Sequence, residues 1–226
     1  MKRSTAAMAV LAMLAFANPA VGQAKDPPAS WDGLVQVPSK QLTLVYLQPG
    51  ADFRGYSKVM IEPTEVAFHK NWRKDYNSTR RDLSGKVSES EVQRAVAKGI
   101  EAATDIFTQE WQKSGYAIAT APGPDVLLVR TGILNISVTS PDRPSSVRSF
   151  GFANEAGRAT LVVEVRDSLT GALLGRAVDQ EIAGDNTVGW RTSVSNRSDF
   201  RDLVAQWARI SVNGMSQLKA LSPVAP

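Results

Sequence analysis

The chain has no cysteine, a single histidine and almost no excess of either charge over its 226 residues. Without cysteine, disulfides, thiolate metal sites and a cysteine nucleophile are all excluded. One imidazole, His69, cannot supply the several histidines of common catalytic zinc sites or the two of a metalloprotease helix. The net charge of +4 includes Lys2 and Arg3; without them it is +2, too small a basic excess for a dedicated nucleic-acid binder. No apolar run reaches the roughly 20 residues that a spanning helix requires. The sequence also lacks a Gly-x-Ser-x-Gly elbow, a glycine-rich phosphate loop and a calcium loop.

The first 24 residues carry the chain's clearest signal. Lys2 and Arg3 precede an apolar stretch from Ala6 to Ala17, and Asn18-Pro19 breaks it before the small residues Ala20, Gly22 and Ala24. This is the pattern of an export leader cut near Ala24. Lys25 follows, where a lipid-anchored protein would present cysteine. The mature product is therefore expected to be soluble, in the periplasm or secreted, with no transmembrane segment. The remaining 202 residues are enough for one sizeable core. Residues 25–41, with Pro27, Pro28, Gly33 and Pro38, read as a flexible tail, and residues 42–222 as a single α+β domain.

Alternation, β-branched and aromatic bulk, and near-continuous aliphatics predict strands at Leu42–Tyr46, Lys58–Phe68, Tyr116–Thr120, Asp125–Val138, Ala159–Arg166 and Ala172–Ile182. Pro63 interrupts the second, which places it at an edge or at a bulge. The continuous aliphatics of Asp125–Val138 indicate a central strand. A capping box at Ser88-Glu89-Ser90-Glu91 opens a helix whose apolar stripe is Val92, Val96, Ile100, Ala103, Phe107 and Trp111, ended by Gly115. A last helix is predicted from about Ser198 to Leu221. The expected fold is two-layer α+β: a mostly antiparallel sheet of about six strands with two amphipathic helices on one face.

Four segments, taken together in order, resemble the bacterial exported and lipoprotein family known as domain of unknown function 3313. They are Phe53-Arg54-Gly55-Tyr56-Ser57-Lys58-Val59-Met60-Ile61-Glu62-Pro63, Gly115-Tyr116 through Asp125-Val126-Leu127, Arg166-Asp167-Ser168-Leu169-Thr170-Gly171, and Trp207-Ala208. Many members of that family look lipid-anchored, and this chain departs from them in lacking the cysteine. The resemblance implies an envelope location and carries over no catalytic residue.

Two segments carry candidate binding residues. From His69 to Arg81, Trp72, Arg73, Lys74 and Tyr76 combine cations with aromatic faces that could meet a sugar or an anionic polymer. The same residues also suit a solvated connection with Trp72 packed at the domain edge. From Pro141 to Arg158, Arg143, Arg148, Phe150 and Phe152 sit in a long irregular stretch, in the residue types that anchor interfaces. Glu155, Asp167, Asp179, Glu181 and Asp185 could supply the two carboxylates of a glycosidase, while Asp167 and Asp185 also read as turn formers.

The expected function is that of a noncatalytic binding or accessory domain for another envelope component, protein or glycan. A carboxylate-dependent hydrolase of cell-wall or secreted polysaccharide is the alternative, and self-association through an exposed sheet edge a third reading. No metal and no cofactor are expected, nucleic acid is not an expected partner, and the oligomeric state stays open.

Overall fold

The computed structural model describes residues 27–80, 85–138, 151–153, 157–183, 189–191 and 193–225. In chain order its first half holds β1 (Ser30–Trp31), β2 (Leu34–Val37), β3 (Leu44–Leu47), β4 (Lys58–Ile61), β5 (Glu65–Phe68), α1 (Trp72–Ser78) and α2 (Glu89–Lys113). There follow β6 (Ala117–Ile118), β7 (Val126–Val138), β8 (Gly151–Ala153), β9 (Gly157–Asp167), β10 (Leu173–Ala183), β11 (Gly189–Arg191) and α3 (Ser193–Leu221).

Among the described residues the fold is α+β, with a mixed sheet of nine strands rather than a mostly antiparallel one of six, and with three helices rather than two. The main sheet runs β1-β2-β3-β10-β9-β7-β4-β6, with β5 also on β7, and β8 pairs separately with β11. From β1 to β7 every pairing is antiparallel, whereas β4 and β5 lie parallel to β7. The parallel part has a simple cause. The 25-residue α2 carries the chain back along the sheet between β5 and β7, the long crossover that parallel neighbours require.

Within the stretch that reads as a tail, residues 30–37 form a hairpin. Trp31 pairs with Leu34 across a two-residue turn, Asp32-Gly33, in which both residues have positive φ (54° and 82°). Asp-Gly is the favoured pair for such a type I′ hairpin, whose twist matches that of the strands. The hairpin extends the sheet beside β3 and buries Leu34 completely.

Two bulges shape the far side. Between Ile61, opposite Val129, and Glu65, opposite Gly132, the β4–β5 chain holds one residue more than β7 does. Pro63 lies in that stretch, so a residue without a backbone donor stands where the ladder is already broken. The next amide, Thr64 N–H, donates to Thr104 Oγ1 of α2 at 2.9 Å, and the Thr64 and Thr131 hydroxyls bond at 2.7 Å. The second bulge is in β7 itself, where the registers with β5 and with β9 both shift by one residue around Asn135, at φ 54°. Asparagine is among the few residues that enter the left-handed region readily. Because of the extra residue, Ile133, Ile136 and Val138 project to the same side, which ordinary alternation would not give.

The helix ends follow their local chemistry. Ser88 Oγ accepts the Glu91 amide while the Glu91 carboxylate accepts the Ser88 amide at 2.7 Å, closing the predicted capping box. Gly115, at φ 90°, terminates the helix at the position where a left-handed residue is wanted. Helix α2 packs over β4, β5 and β6, α3 over β9 and β10, and the two helices pack on each other. Their buried residues, among them Phe107, Trp111 and Trp207, meet Leu127, Val129 and Leu161 from the sheet. At about 1.5–3 kcal/mol for each large apolar side chain, this layer supplies the main driving force. No helix among the described residues is long and apolar enough to cross a membrane.

The other face of the sheet carries a polar row. Gln36, Tyr46, Arg176, Glu164 and Arg130 stand opposite one another across five adjacent strands, and Arg130 reaches Glu62 at 2.8 Å. Charges alternate along it from Arg176 to Glu62. Trp31 lies over the Arg176 guanidinium, 4.1 Å from ring centroid to carbon, and Asp32 accepts from it at 2.8 Å.

Candidate functional site

The sheet and helices part over the second half of β7. The buried residues of α2 are Ala103, Phe107 and Trp111, all in its C-terminal half. A neighbouring face of the helix presents Val92, Ala95, Gly99, Ala102 and Ile106 toward a half-open cavity of about 480 Å³. The spacing of these residues, alternately three and four, marks a second apolar stripe beside the predicted one. Three of them are alanine or glycine. Small side chains leave space where larger ones would have filled it. Gly99 allows the helix to come close to β5: a Cβ there would lie 3.1 Å from Val66 Cγ1.

The rest of the wall comes from the sheet and from the other two helices. Val66 and Phe68 of β5 and Ile133, Ile136 and Val138 of β7 form the apolar floor, while Phe200 and Val204 contribute from α3. Trp72 of α1 completes it. Charged lining residues, namely Glu91, Lys98, Glu101, Asp105 and Arg201, belong to the two long helices. The volume lies within the range of sites for small ligands, about 300–1,000 Å³, whose walls are mostly apolar with a few polar groups.

Helix α1 is where the sequence places a basic and aromatic connection. Trp72 is 6% exposed; it stacks on Phe68 at 4.6 Å and on Tyr76 at 5.5 Å, and its Nε1–H donates to Val138 O at 3.3 Å. It is therefore a wall residue rather than a free stacking platform. Arg73 is exposed and pairs with Glu89 at 3.0 Å, and Lys74 is exposed. Tyr76 is half-buried with the Arg80 guanidinium 4.8 Å from its ring. The Asn77 amide group bonds both the N–H and the C=O of Val87, at 2.7 and 2.8 Å, which fixes α1 against the entry to α2. His69 lines a smaller cavity of about 270 Å³ on the side of Trp72 that holds Asp75 and Ser137. Arg143, Arg148 and Phe150 lie outside the described residues; Phe152 falls in β8, where only the backbone is described.

The carboxylates expected to converge do not do so where they are described. Asp167 Oδ1 accepts the Leu169 and Thr170 amides and the Thr170 hydroxyl, so it builds the turn between β9 and β10. Its other oxygen accepts the Tyr56 hydroxyl at 2.8 Å. Asp179 is buried and accepts from the Thr43 amide, the Thr43 hydroxyl and Trp207 Nε1, binding β3 and α3 to β10. Asp179 stands opposite Leu161, six residues along β9 from Asp167. Six residues of strand span about 20 Å, twice the widest separation at which a glycosidase pair works. Glu181 is exposed, and Glu155 and Asp185 lie outside the described residues.

Sequence reading missed the cavity because it assigned α2 a single stripe. The signal was present in the alternate spacing of Val92, Ala95, Gly99, Ala102 and Ile106, but small residues contribute little to an apolar pattern.

Several solved structures are distantly similar. A PelC dodecamer from Paraburkholderia phytofirmans is 11% identical, with 76% of this chain and 95% of that one covered at a TM-score of 0.36. A DUF330 family protein from Xanthomonas campestris is 11% identical over 77% and 91% of the two chains, at 0.39. A DUF4136 family protein from Bacteroides thetaiotaomicron is 13% identical over 83% and 98%, at 0.37. No curated protein matches. A family model, in contrast, covers most of the sequence, from residue 25 to residue 210. The chain belongs to the family described as protein of unknown function (DUF3313).

Proposed function

We propose that this protein is a noncatalytic binding domain of the bacterial envelope, whose ligand inserts an apolar group between α2 and the sheet. The observation that carries the reading is the apolar cavity of about 480 Å³, with its charged residues on the two long helices. Export and an envelope location rest on the leader pattern of residues 1–24 and on the family resemblance. Of the α1 cations next to the Trp72 wall, Arg73 pairs with Glu89, and Lys74 is exposed to a ligand's polar portion.

The test uses the mature chain and the neutral fluorophore N-phenyl-1-naphthylamine. Emission should rise on binding to the parent protein and stay low with Ala102→Trp, which fills the cavity, provided that the variant melts at a similar temperature. Equal emission from both proteins, or none from either, refutes the reading.

A further inference from the structure

The cavity's mouth offers charges of both signs without internal partners. Lys98, Glu101 and Asp105 of α2 and Arg201 of α3 all line the cavity and are all exposed. Among the described residues none of these four forms an ion pair, whereas Glu91, the fifth charged lining residue, is engaged in the cap of α2. Glu101 and Asp105 are one turn apart on the same helix, a spacing at which like charges repel. Lys98 and Arg201 approach from the two helices that flank the opening. An apolar interior below unpaired charges of both signs fits a ligand built the same way.

We infer, on the basis of the binding reading above, that the occupant is a single-chain amphiphile whose head group carries a negative and a positive charge together. Its chain lies against Val66, Ile133 and Ile136 on the floor. Lys98 and Arg201 take the head group's anion, as charge-assisted donors do. Glu101 and Asp105 take its cation. A purely anionic head would bring its charge beside these two carboxylates, and a purely cationic one beside Lys98 and Arg201. A partner helix would need an open groove for a row of anchors. Here the apolar volume is one pocket walled by strands and three helices.

The experiment displaces N-phenyl-1-naphthylamine from the mature chain with dodecylphosphocholine, dodecyl maltoside and dodecyltrimethylammonium, each below its micelle concentration. Dodecylphosphocholine should compete at the lowest concentration. The double variant Lys98→Gln, Arg201→Gln should weaken it by about tenfold, the loss of two charge-assisted contacts at an exposed site. Dodecyl maltoside should be unaffected by that variant. If all three detergents compete equally, or if the double variant leaves dodecylphosphocholine unchanged, the head-group assignment falls and the apolar-cavity reading survives. A fluorophore that never binds removes the cavity reading as well. Displacement by an amphipathic helical peptide and by none of the detergents assigns the cavity to a protein partner and overturns the proposal.

Discussion

Arg176 directs its Nε–H and Nη2–H to one carboxylate oxygen of Glu164, at 2.9 and 2.7 Å, across the β9–β10 ladder. The other oxygen of Glu164 accepts from Arg166 at 3.1 and 2.9 Å, and the carboxylate is sealed from water at 2% exposure. A buried charge held this way is costly to leave half-paired. Arg176→Met should therefore destabilise the domain by about 3 kcal/mol, toward the lower end of the usual range because Arg166 remains. It should also free the β1–β2 hairpin, which Arg176 holds through Asp32 and Trp31. Urea unfolding gives the first quantity, and faster proteolysis near Asp32 in the otherwise folded variant gives the second. A loss below about 1 kcal/mol would show that the pair merely breaks even against desolvation.

Tyr56 and Asp167 make stability depend on pH at both extremes. Burial, followed by the hydrogen bond to Asp167, pushes the Tyr56 phenol up to about 12. Hydrogen bonds from the Thr170 amide and hydroxyl lead in holding the Asp167 carboxyl below its ordinary value. A group raised on folding stabilises fully below its unfolded pKa, so the phenol's contribution persists to about pH 10 and is lost as pH rises to 12. For the lowered carboxyl the sign reverses. Its contribution is present above about pH 4 and fades as pH falls further. Melting temperature against pH should decline at both limits, and Tyr56→Phe should lessen the alkaline decline between pH 10 and 12, leaving the part that the Tyr46 and Tyr116 phenols, also raised by burial, contribute. An undiminished decline in the variant would assign all of it to those other groups.

What the sequence disclosed and what it hid divide along physical lines. The long strands β7, β9 and β10 and the capped α2 were legible because each repeats its pattern over many residues, and Ser88 and Gly115 mark helix ends by chemistry that needs no tertiary contact. Strand β1, of two residues, is too short to show a period, and its partner β2 lies within the stretch that reads as a tail. The Asp32-Gly33 turn did carry a local signal, obscured by the prolines on either side of it. Register shifts were illegible in another way. Asn135 sits inside a strand rich in aliphatics with no turn residue to mark a break, so only its pairing with two neighbouring strands reveals the bulge and the resulting direction of Ile136. Of the candidate binding residues, Trp72 read either as a stacking platform or as packed at the domain edge; it is packed, with its indole N–H on the Val138 carbonyl, 66 residues away.

The bulge yields its own expectation. Asn135→Gly keeps access to positive φ and should leave the melting temperature nearly unchanged. Asn135→Val places a β-branched residue where φ is 54° and should cost about 1–2 kcal/mol. Because the bulge sends Ile136 and Val138 into the cavity, the valine variant should also bind N-phenyl-1-naphthylamine more weakly than its loss of stability alone explains. If both variants unfold alike, side-chain contacts of Asn135 matter more than its backbone.

Stability and recognition are separable within α1, because Trp72 faces inward while Arg73 and Lys74 face solvent. Replacing Trp72 with alanine removes a stacked, hydrogen-bonded side chain from the walls of both cavities, and should cost about 3–5 kcal/mol, in the range for large-to-small changes in a core. Trp72→Phe keeps the stack on Phe68 and leaves the Val138 carbonyl without its indole donor, so a cost of about 1 kcal/mol is expected. Lys74→Ala, at an exposed position, should change stability by less than about 0.5 kcal/mol. Arg73→Ala loses only the exposed pair with Glu89 and should behave similarly. Guanidinium unfolding of the four variants ranks them. A Trp72→Ala protein as stable as the parent would mean that the indole contributes nothing to packing, and that its place at the edge of the cavity is reserved for a ligand.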